Sequence, residues 1–461
     1  MTRFDELDQA LVAWFDGETI APAPTGLLDR VTAATAQRRP RPRWQATLRQ
    51  AGVWEGIRAP MITATAPRIG RQARIAVVLA LLAVAALMAA LIAGSQRPDP
   101  PVQGIFTSLA GMPGPATRGL ALPDGSVLAF GGSSQARSGL LSASTDRERL
   151  LVFRPADGTF RAIGWTDGSV TSAAMITDGR VLIIVMDPPS QSTGGGSSGR
   201  SRGMLVDPTT GGVADVGPTA LPRLFAGMVR LADGRVLLIG AGAGGRSAEI
   251  FDPASGSFAL TGFPDGVMTS PTATLLDDGR VLVISQSERT AELFDPETER
   301  FVQTGSLLGI RSGFTATRLL DGRVLIAGGS IRSEGEEPRL ATTAEIYDPK
   351  TGTFSATAAM IHPRTLHYAV ALPSGLVLIG GGTGSEFAGV GDGGIVEPGV
   401  VQAELFDPRS GTFNAVASPT RARFGAGAVL LADGAVLIFG SADPLSGRDG
   451  GPEATSVETY R

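Results

Sequence analysis

From residue 104 to the C-terminus one short pattern recurs seven times, and nothing else in the 461 residues limits the fold so tightly. Its fullest copy reads DDGRVLVI, Asp277 to Ile284, followed by AELFDPETERF, Ala291 to Phe301. The turn dipeptide appears as Asp124-Gly125, Asp178-Gly179, Asp233-Gly234, Asp278-Gly279, Asp321-Gly322, Ser374-Gly375 and Asp433-Gly434. Each predicts a tight hairpin, because glycine takes positive φ without steric cost. Four to six apolar residues follow each turn, as in Val236-Leu237-Leu238-Ile239. An apolar run this short and unbroken fits a strand covered on both faces.

The second landmark is an aromatic–Asp–Pro step: Phe251-Asp252-Pro253, Phe294-Asp295-Pro296, Tyr347-Asp348-Pro349 and Phe406-Asp407-Pro408. Weaker copies are Phe153-Arg154-Pro155 and Val206-Asp207-Pro208, and Val457 to Tyr460 is the seventh. Beyond a turn such as Lys350-Thr351-Gly352 stands Phe160, Val213, Phe258, Phe301, Phe354 or Phe413. The turn positions are 43 to 59 residues apart, a period that indicates four-stranded propeller blades. The predicted fold class is therefore all-β, a seven-bladed β-propeller over residues 104–461.

Ring closure is also legible. The seventh unit stops at Arg461, before any fourth strand, and the first is preceded by Ile105-Phe106-Thr107-Ser108-Leu109. Phe106 lies 18 residues before Asp124, as Phe160 lies 18 before Asp178. The N-terminal segment is expected to complete blade seven and so remove an open sheet edge. From landmark proline to next turn the spacing is 25 in five of six cases, whereas from turn to proline it runs from 18 to 34. The elastic length thus lies in the loops between second and third strands, chiefly Asp187 to Gly203, Ser330 to Leu340 and Thr383 to Val401. These loops share one end of the ring with the connections between blades. Insertions gathered at one end mark a binding face. The alternative is glycine- and serine-rich slack, as Ser192 to Ser201 reads.

Ten residues before the turn position stand Arg223, Arg311, Arg364 and Arg423. Four residues before the landmark proline stand Glu249, Glu292, Glu345 and Glu404, with Glu458 equivalent. Units three, five, six and seven carry both charges; units one and two carry neither, having Gly114 with Leu151 and Gly168 with Met204. Unit four has Glu292 but Met268. This co-occurrence predicts that each arginine meets its glutamate inside the stack, because a buried charge needs a partner. The rival is an arginine ring around the pore that binds an anion.

The repeats resemble those of the kelch family, and of the galactose oxidase propeller in particular. A double glycine after the second strand carries the likeness, as Gly131-Gly132, Gly328-Gly329 and Gly380-Gly381. The resemblance implies a copper site built from two tyrosines and two histidines, with one tyrosine cross-linked to cysteine. This chain has no cysteine, so that cofactor cannot form. Its three tyrosines are Tyr347, Tyr368 and Tyr460, and Tyr347 and Tyr460 fill the repeat's aromatic position. His362 and His367 flank Arg364 at the start of one inner strand and read as framework. No P-loop, nucleophile elbow or dinucleotide fingerprint is present. The expectation is therefore of a non-enzyme, with no catalytic residue, cofactor or metal.

Before the repeats, Ile75 to Gly94 is a run of twenty residues without a charge, long enough as a helix to cross about 30 Å of hydrocarbon. Ten arginines and one acid lie between Arg30 and Arg74, which predicts a cytoplasmic N-terminus and an extracytoplasmic propeller. The domains expected are a tail at 1–74, partly helical or disordered, a transmembrane helix at 75–94, a proline-rich spacer at 95–103 and the propeller at 104–461. In the tail, Phe4, Leu7, Leu11, Trp14 and Phe15 recur at helical spacing. They suggest a partner-binding helix of the anti-sigma-factor kind, against the alternative of a basic tail resting on lipid headgroups. Net charge is only −4, which gives no pull toward nucleic acid. A single lysine, Lys350, among 40 basic residues points to a bacterial high-GC genome. The functional expectation is a cell-membrane, single-pass binding protein that meets a protein or glycan on the loop face. The alternative is a transmembrane regulator with the propeller as sensor and the tail holding a cytoplasmic partner.

Overall fold

A computed structural model describes residues 104–131, 147–186, 200–223, 226–240, 246–268, 270–332, 337–384, 400, 402–440 and 455–461. The expected tail, transmembrane helix and spacer lie outside the described residues. Among the described residues no helix is long and apolar enough to cross a membrane.

Among the described residues the principal elements are seven four-stranded antiparallel sheets. Sheet 1 is Arg118–Ala121, Val127–Phe130, Glu148–Arg154 and Thr159–Thr166. Sheets 2 to 6 repeat this meander, beginning at Ser169, Gly227, Thr272, Thr315 and Tyr368. Sheet 7 is Gly427–Leu430, Val436–Phe439, Val457–Tyr460 and then Phe106–Leu109. The closing strand comes from the start of the repeat region, with Phe106 opposite Tyr460 and Leu109 opposite Val457. The expected closure is thus present. Each first strand touches the first strand of the next sheet, and the cycle returns from sheet 7 to sheet 1. The fold is all-β and propeller-like.

The core lies between the sheets. Seven apolar clusters each draw on two adjacent sheets, as Leu128, Leu150 and Val152 of sheet 1 pack with Val181, Ile183 and Val206 of sheet 2. Every second strand is apolar throughout because both its faces are covered; Val236–Ile239 and Val281–Ile284 are wholly buried. The aromatic landmarks pair across the third and fourth strands. Phe251 meets Phe258 and Phe294 meets Phe301 at ring-centroid distances of 5.0 and 4.9 Å. Phe106 with Tyr460, at 4.9 Å, repeats the contact across the closure. The landmark aspartate caps its turn: Asp252 Oδ1 accepts the Ala254 N–H at 2.8 Å.

One element is fuller than its counterpart in sheet 6, the single bridge Thr365–Thr383. Ile310–Ser312 pairs with Ser330–Arg332, which pairs with Arg339–Leu340, forming a small three-stranded sheet at the loop end of sheet 5. Both described ends of the expected insertion Ser330 to Leu340 are therefore paired strands.

Candidate functional site

The four arginine–glutamate pairs come together inside the ring. Arg364 Nη2 lies 2.7 Å from Glu404 Oε1, Arg423 Nη2 lies 2.8 Å from Glu458 Oε1, and Arg311 pairs in the same way with Glu345. In sheet 3 the approach differs: Arg223 Nε hydrogen-bonds Glu249 Oε1 at 2.7 Å, with Nη2 2.5 Å from the same oxygen. No side chain among the eight is more than 2% exposed. A pore-lining ring of arginines is excluded by that burial. Desolvation pulls the Arg223 and Arg311 guanidiniums below their usual range, and their glutamates offset part of it.

Each pair sits in a wider lattice. The arginine lies on the connection entering a sheet, and its Nη1 donates to the carbonyl seventeen residues on: Gly240, Gly328, Gly381 or Gly440. The glutamate also accepts N–H groups of that connection, at Ala220, Leu308, Ile361 or Thr420. The next glycine passes the linkage to the following sheet. Gly329 N–H donates to the Arg364 carbonyl at 2.8 Å, and Gly382 N–H to the Arg423 carbonyl at 2.6 Å. Gly328 and Gly329 have φ of 63° and 88°, and a side chain at either would strike neighbouring backbone. In sheet 6 this left-handed pair is Gly381-Gly382, one residue later than the sequence motif suggests. The carbonyl acceptors went unread in the sequence, although the constant offset of seventeen was there to find.

The other sheets replace this lattice. In sheet 4, Met268 is fully buried where the arginine stands elsewhere. Glu292 is fully buried too and holds only the Gly266 and Asp265 N–H groups, at 2.7 and 3.1 Å. Burial pushes its carboxyl above the ordinary 4.5. Arg289 does not take over, since its Nε donates to the Leu307 carbonyl at 2.6 Å. In sheet 1, Arg149 folds over Gly114, donates to the Pro113 carbonyl and covers the Trp165 ring with its guanidinium at 4.6 Å. Sequence reasoning missed this substitute because Arg149 comes from the third strand, not from the connection.

At the loop end the residue opening each inner strand is left-handed in sheets 4 to 7. Ser270, Gly313, Leu366 and Gly425 have φ of 45°, 66°, 53° and 57°. Three of them are linked from sheet to sheet: Leu366 N–H donates to the Gly313 carbonyl and Gly425 N–H to the Leu366 carbonyl. Leucine is strained in this region by about 1–2 kcal/mol, yet Leu366 also leaves 42% of its surface exposed. Phe263, Leu308 and Ile361 are exposed on connections at the same end, and Trp165 is exposed near the end of the fourth strand of sheet 1.

The tyrosines and histidines do not gather. Tyr347 hydroxyl bonds Thr304 Oγ1 at 2.9 Å, Tyr460 packs at a tilt against Phe106, and Tyr368 is buried at the start of sheet 6. His367 Nε2 and Thr315 Oγ1 are 3.0 Å apart, and burial, with Arg364 nearby, pulls this imidazole down to about 3. His362 only offers its backbone N–H to Glu404. Among the described residues no three His, Cys, Asp or Glu side chains form a metal-holding group. These residues do not fit the copper cofactor that the resemblance implies.

No family model matches the sequence, and no curated protein does. Among solved structures the chain is similar to a fungal alcohol oxidase of the AA5 family, in complex with copper. The TM-score is 0.61 at 17% identity, covering 77% of this chain and 76% of the oxidase. The two share a fold. The likeness corrects one expectation from the sequence, that the chain is not an enzyme: its fold is one on which an oxidase is built. Lack of cysteine rules out a cross-linked tyrosine–cysteine cofactor and does not extend to catalysis in general.

Proposed function

We propose that residues 104–461 form a seven-bladed kelch-type propeller, held on the extracytoplasmic side by a transmembrane helix at Ile75 to Gly94. It acts as a binding module for a protein or glycan through the loop end of the ring. The observation that carries this reading is where apolar surface is left open. Trp165, Phe263, Leu308, Ile361 and Leu366 are 42–59% exposed on that end, where the loops also vary most in length. Exposed apolar side chains that share one end of the ring support an interaction site at that end. At Leu366 the backbone is strained as well, a feature that persists where function requires it.

The test is capture of envelope proteins and glycans by the full chain in detergent micelles. Changing Leu308, Ile361 and Leu366 to serine should abolish capture and leave the melting temperature within a few degrees of the parent. Leu320→Ser, at the opposite end, should leave capture intact. Equal capture by both variants would contradict the proposal. Topology is tested separately: a C-terminal alkaline phosphatase fusion should be active, and an active cytoplasmic reporter there would contradict the orientation.

The apolar stripe Phe4, Leu7, Leu11, Trp14 and Phe15 favours a second reading, in which the same chain is a transmembrane regulator. A pulldown with residues 1–74 tests it. Recovery of a transcription factor would support it, and recovery of lipid alone would not.

A further inference from the structure

We propose that the cleft between sheets 1 and 2, at the turn end of the ring, binds an oxyanion: a sulfate, phosphate or carboxylate group. This site is separate from the loop end and does not depend on the function assigned there. The cleft is lined by Arg154, Arg161, Thr209 and Thr210, with Ile163 and Pro208 among its apolar walls.

Sheet 1 departs from sheets 2 to 6 at two positions, both facing this cleft. The residue after the third-strand aromatic is aspartate in sheets 2 to 6, at Asp207, Asp252, Asp295, Asp348 and Asp407, and arginine in sheets 1 and 7, at Arg154 and Arg461; Arg461 pairs with Asp433, whereas Arg154 has no such pair among the described residues. The residue after the fourth-strand landmark is Ala214, Ala259, Val302, Ser355 or Asn414 in the siblings, and Arg161 here. The sibling aspartates cap their own turn, as Asp207 Oδ1 does for the Thr209 N–H at 2.8 Å. In sheet 1 that task has moved to Asp157, which accepts the Thr159 N–H at 3.0 Å and its hydroxyl at 2.6 Å. The turn therefore does not use the Arg154 side chain.

Both arginines point to one side of the sheet. Arg161 pairs with Val152, and Arg154 is two residues from Val152 on the same strand. Such diagonal neighbours stand roughly 7–8 Å apart, close enough for both to reach one group. Val152 belongs to the apolar layer shared with sheet 2, so this side faces the cleft. Among the described residues neither guanidinium has a hydrogen-bond or ion-pair partner. Two like charges placed together without a partner repel, and an anion between them removes that repulsion. Asp124 and Asp157 feel the Arg154 charge, but their carboxyls are held low mainly by hydrogen bonds from Ser126 and Thr159. Both stay ionised, but among the described residues neither is hydrogen-bonded or ion-paired to the Arg154 or Arg161 guanidinium, so the N–H donors of the two arginines stay open to a ligand. Planar guanidinium donors match the geometry of a tetrahedral or planar oxyanion. The Thr209 hydroxyl, free among the described residues, adds a donor.

Titration calorimetry on the full chain in detergent micelles tests the site, with inorganic sulfate, a sulfated tetrasaccharide and a neutral tetrasaccharide as probes. Sulfate and the sulfated sugar should bind saturably and compete, and the neutral sugar should not bind. A sulfated sugar at least tenfold tighter than sulfate makes the source an acidic glycan; equal affinities make it the free ion. The variant R154D/R161A gives sheet 1 the residues its siblings already tolerate, so it should fold, and its affinity should fall at least tenfold. Arg300→Ala with Arg409→Ala removes two exposed arginines elsewhere and should change nothing. No saturable binding to the parent chain, or equal binding by R154D/R161A, would overturn the proposal.

Discussion

Sheets 5 and 4 are adjacent and nearly alike, yet they solve one problem in opposite ways. Both bury a glutamate on the third strand, Glu345 and Glu292, and both let it accept N–H groups from the incoming connection. Sheet 5 adds Arg311, whose guanidinium also ties the Gly328 and Thr343 carbonyls. Sheet 4 puts Met268 in that place and leaves the carboxyl to two backbone donors. The difference separates two roles that the repeat usually merges. The glutamate pins the connection, and the arginine neutralises the glutamate while binding the sheet to the ring. Sheet 4 keeps the first role and gives up the second.

The largest effect should come from breaking the ring itself, on which both sheets depend. Deleting Gly104 to Leu109 removes the fourth strand of sheet 7 and exposes the edge of Val457–Tyr460. The expected outcome is loss of the cooperative monomeric melt, seen by calorimetry, with oligomers in light scattering. A monomer with unchanged melting temperature would show that the closing strand contributes little.

Next in size is the loss of one partner from a buried pair. Arg311→Met should cost about 3–5 kcal/mol in denaturant unfolding, because Glu345 is left buried and charged. Gly329→Ala should act in the same region, since φ of 88° and the nearby Ser312 carbonyl leave no room for a Cβ.

These lattice features were unevenly legible. The strands, their order and the closure follow from hydrophobic runs, turn dipeptides and aromatic spacing, all local in sequence. The arginine and glutamate positions were visible because seven copies let absence and presence be compared. What stayed hidden depends on backbone atoms: the Gly328 carbonyl that holds Arg311, and the Gly329 N–H that reaches Arg364, carry no side-chain signature. Arg149 over Trp165 breaks the repeat and the small sheet of Ile310–Ser312 exceeds it, so periodicity cannot find them.

A pH profile sharpens the comparison further. His367 sits beside Arg364 with an ordinary value of 6.5 lowered to about 3. The folded state therefore binds fewer protons than the unfolded chain across that window. Stability is fully present above about pH 6.5 and falls as pH drops, by at most about 1.4 kcal/mol per unit from this group. His367→Gln should flatten the acid side of the profile, and an unchanged slope would contradict a buried neutral imidazole.

Sheet 4 should respond least. Glu292 has its folded value raised, so its stabilising contribution is full below the ordinary 4.5 and is lost as pH rises through the folded value. Glu292→Gln should then be within about 1 kcal/mol of the parent at pH 7, on the stabilising side, because the buried charge that is removed has no ion-pair partner and only a minor attraction from Arg246. A cost as large as that of Arg311→Met would mean that Glu292 has a cationic partner after all.

The most direct test of the lattice is a double-mutant cycle on Arg311→Met and Glu345→Gln, followed by denaturant unfolding at pH 7. A buried, mutually neutralising pair predicts two large single costs. It also predicts a double-variant cost well below their sum, by about 2 kcal/mol or more, since neither charge is then left alone. Additivity within about 0.5 kcal/mol, with small single costs, would contradict the pairing on which this account of the ring rests.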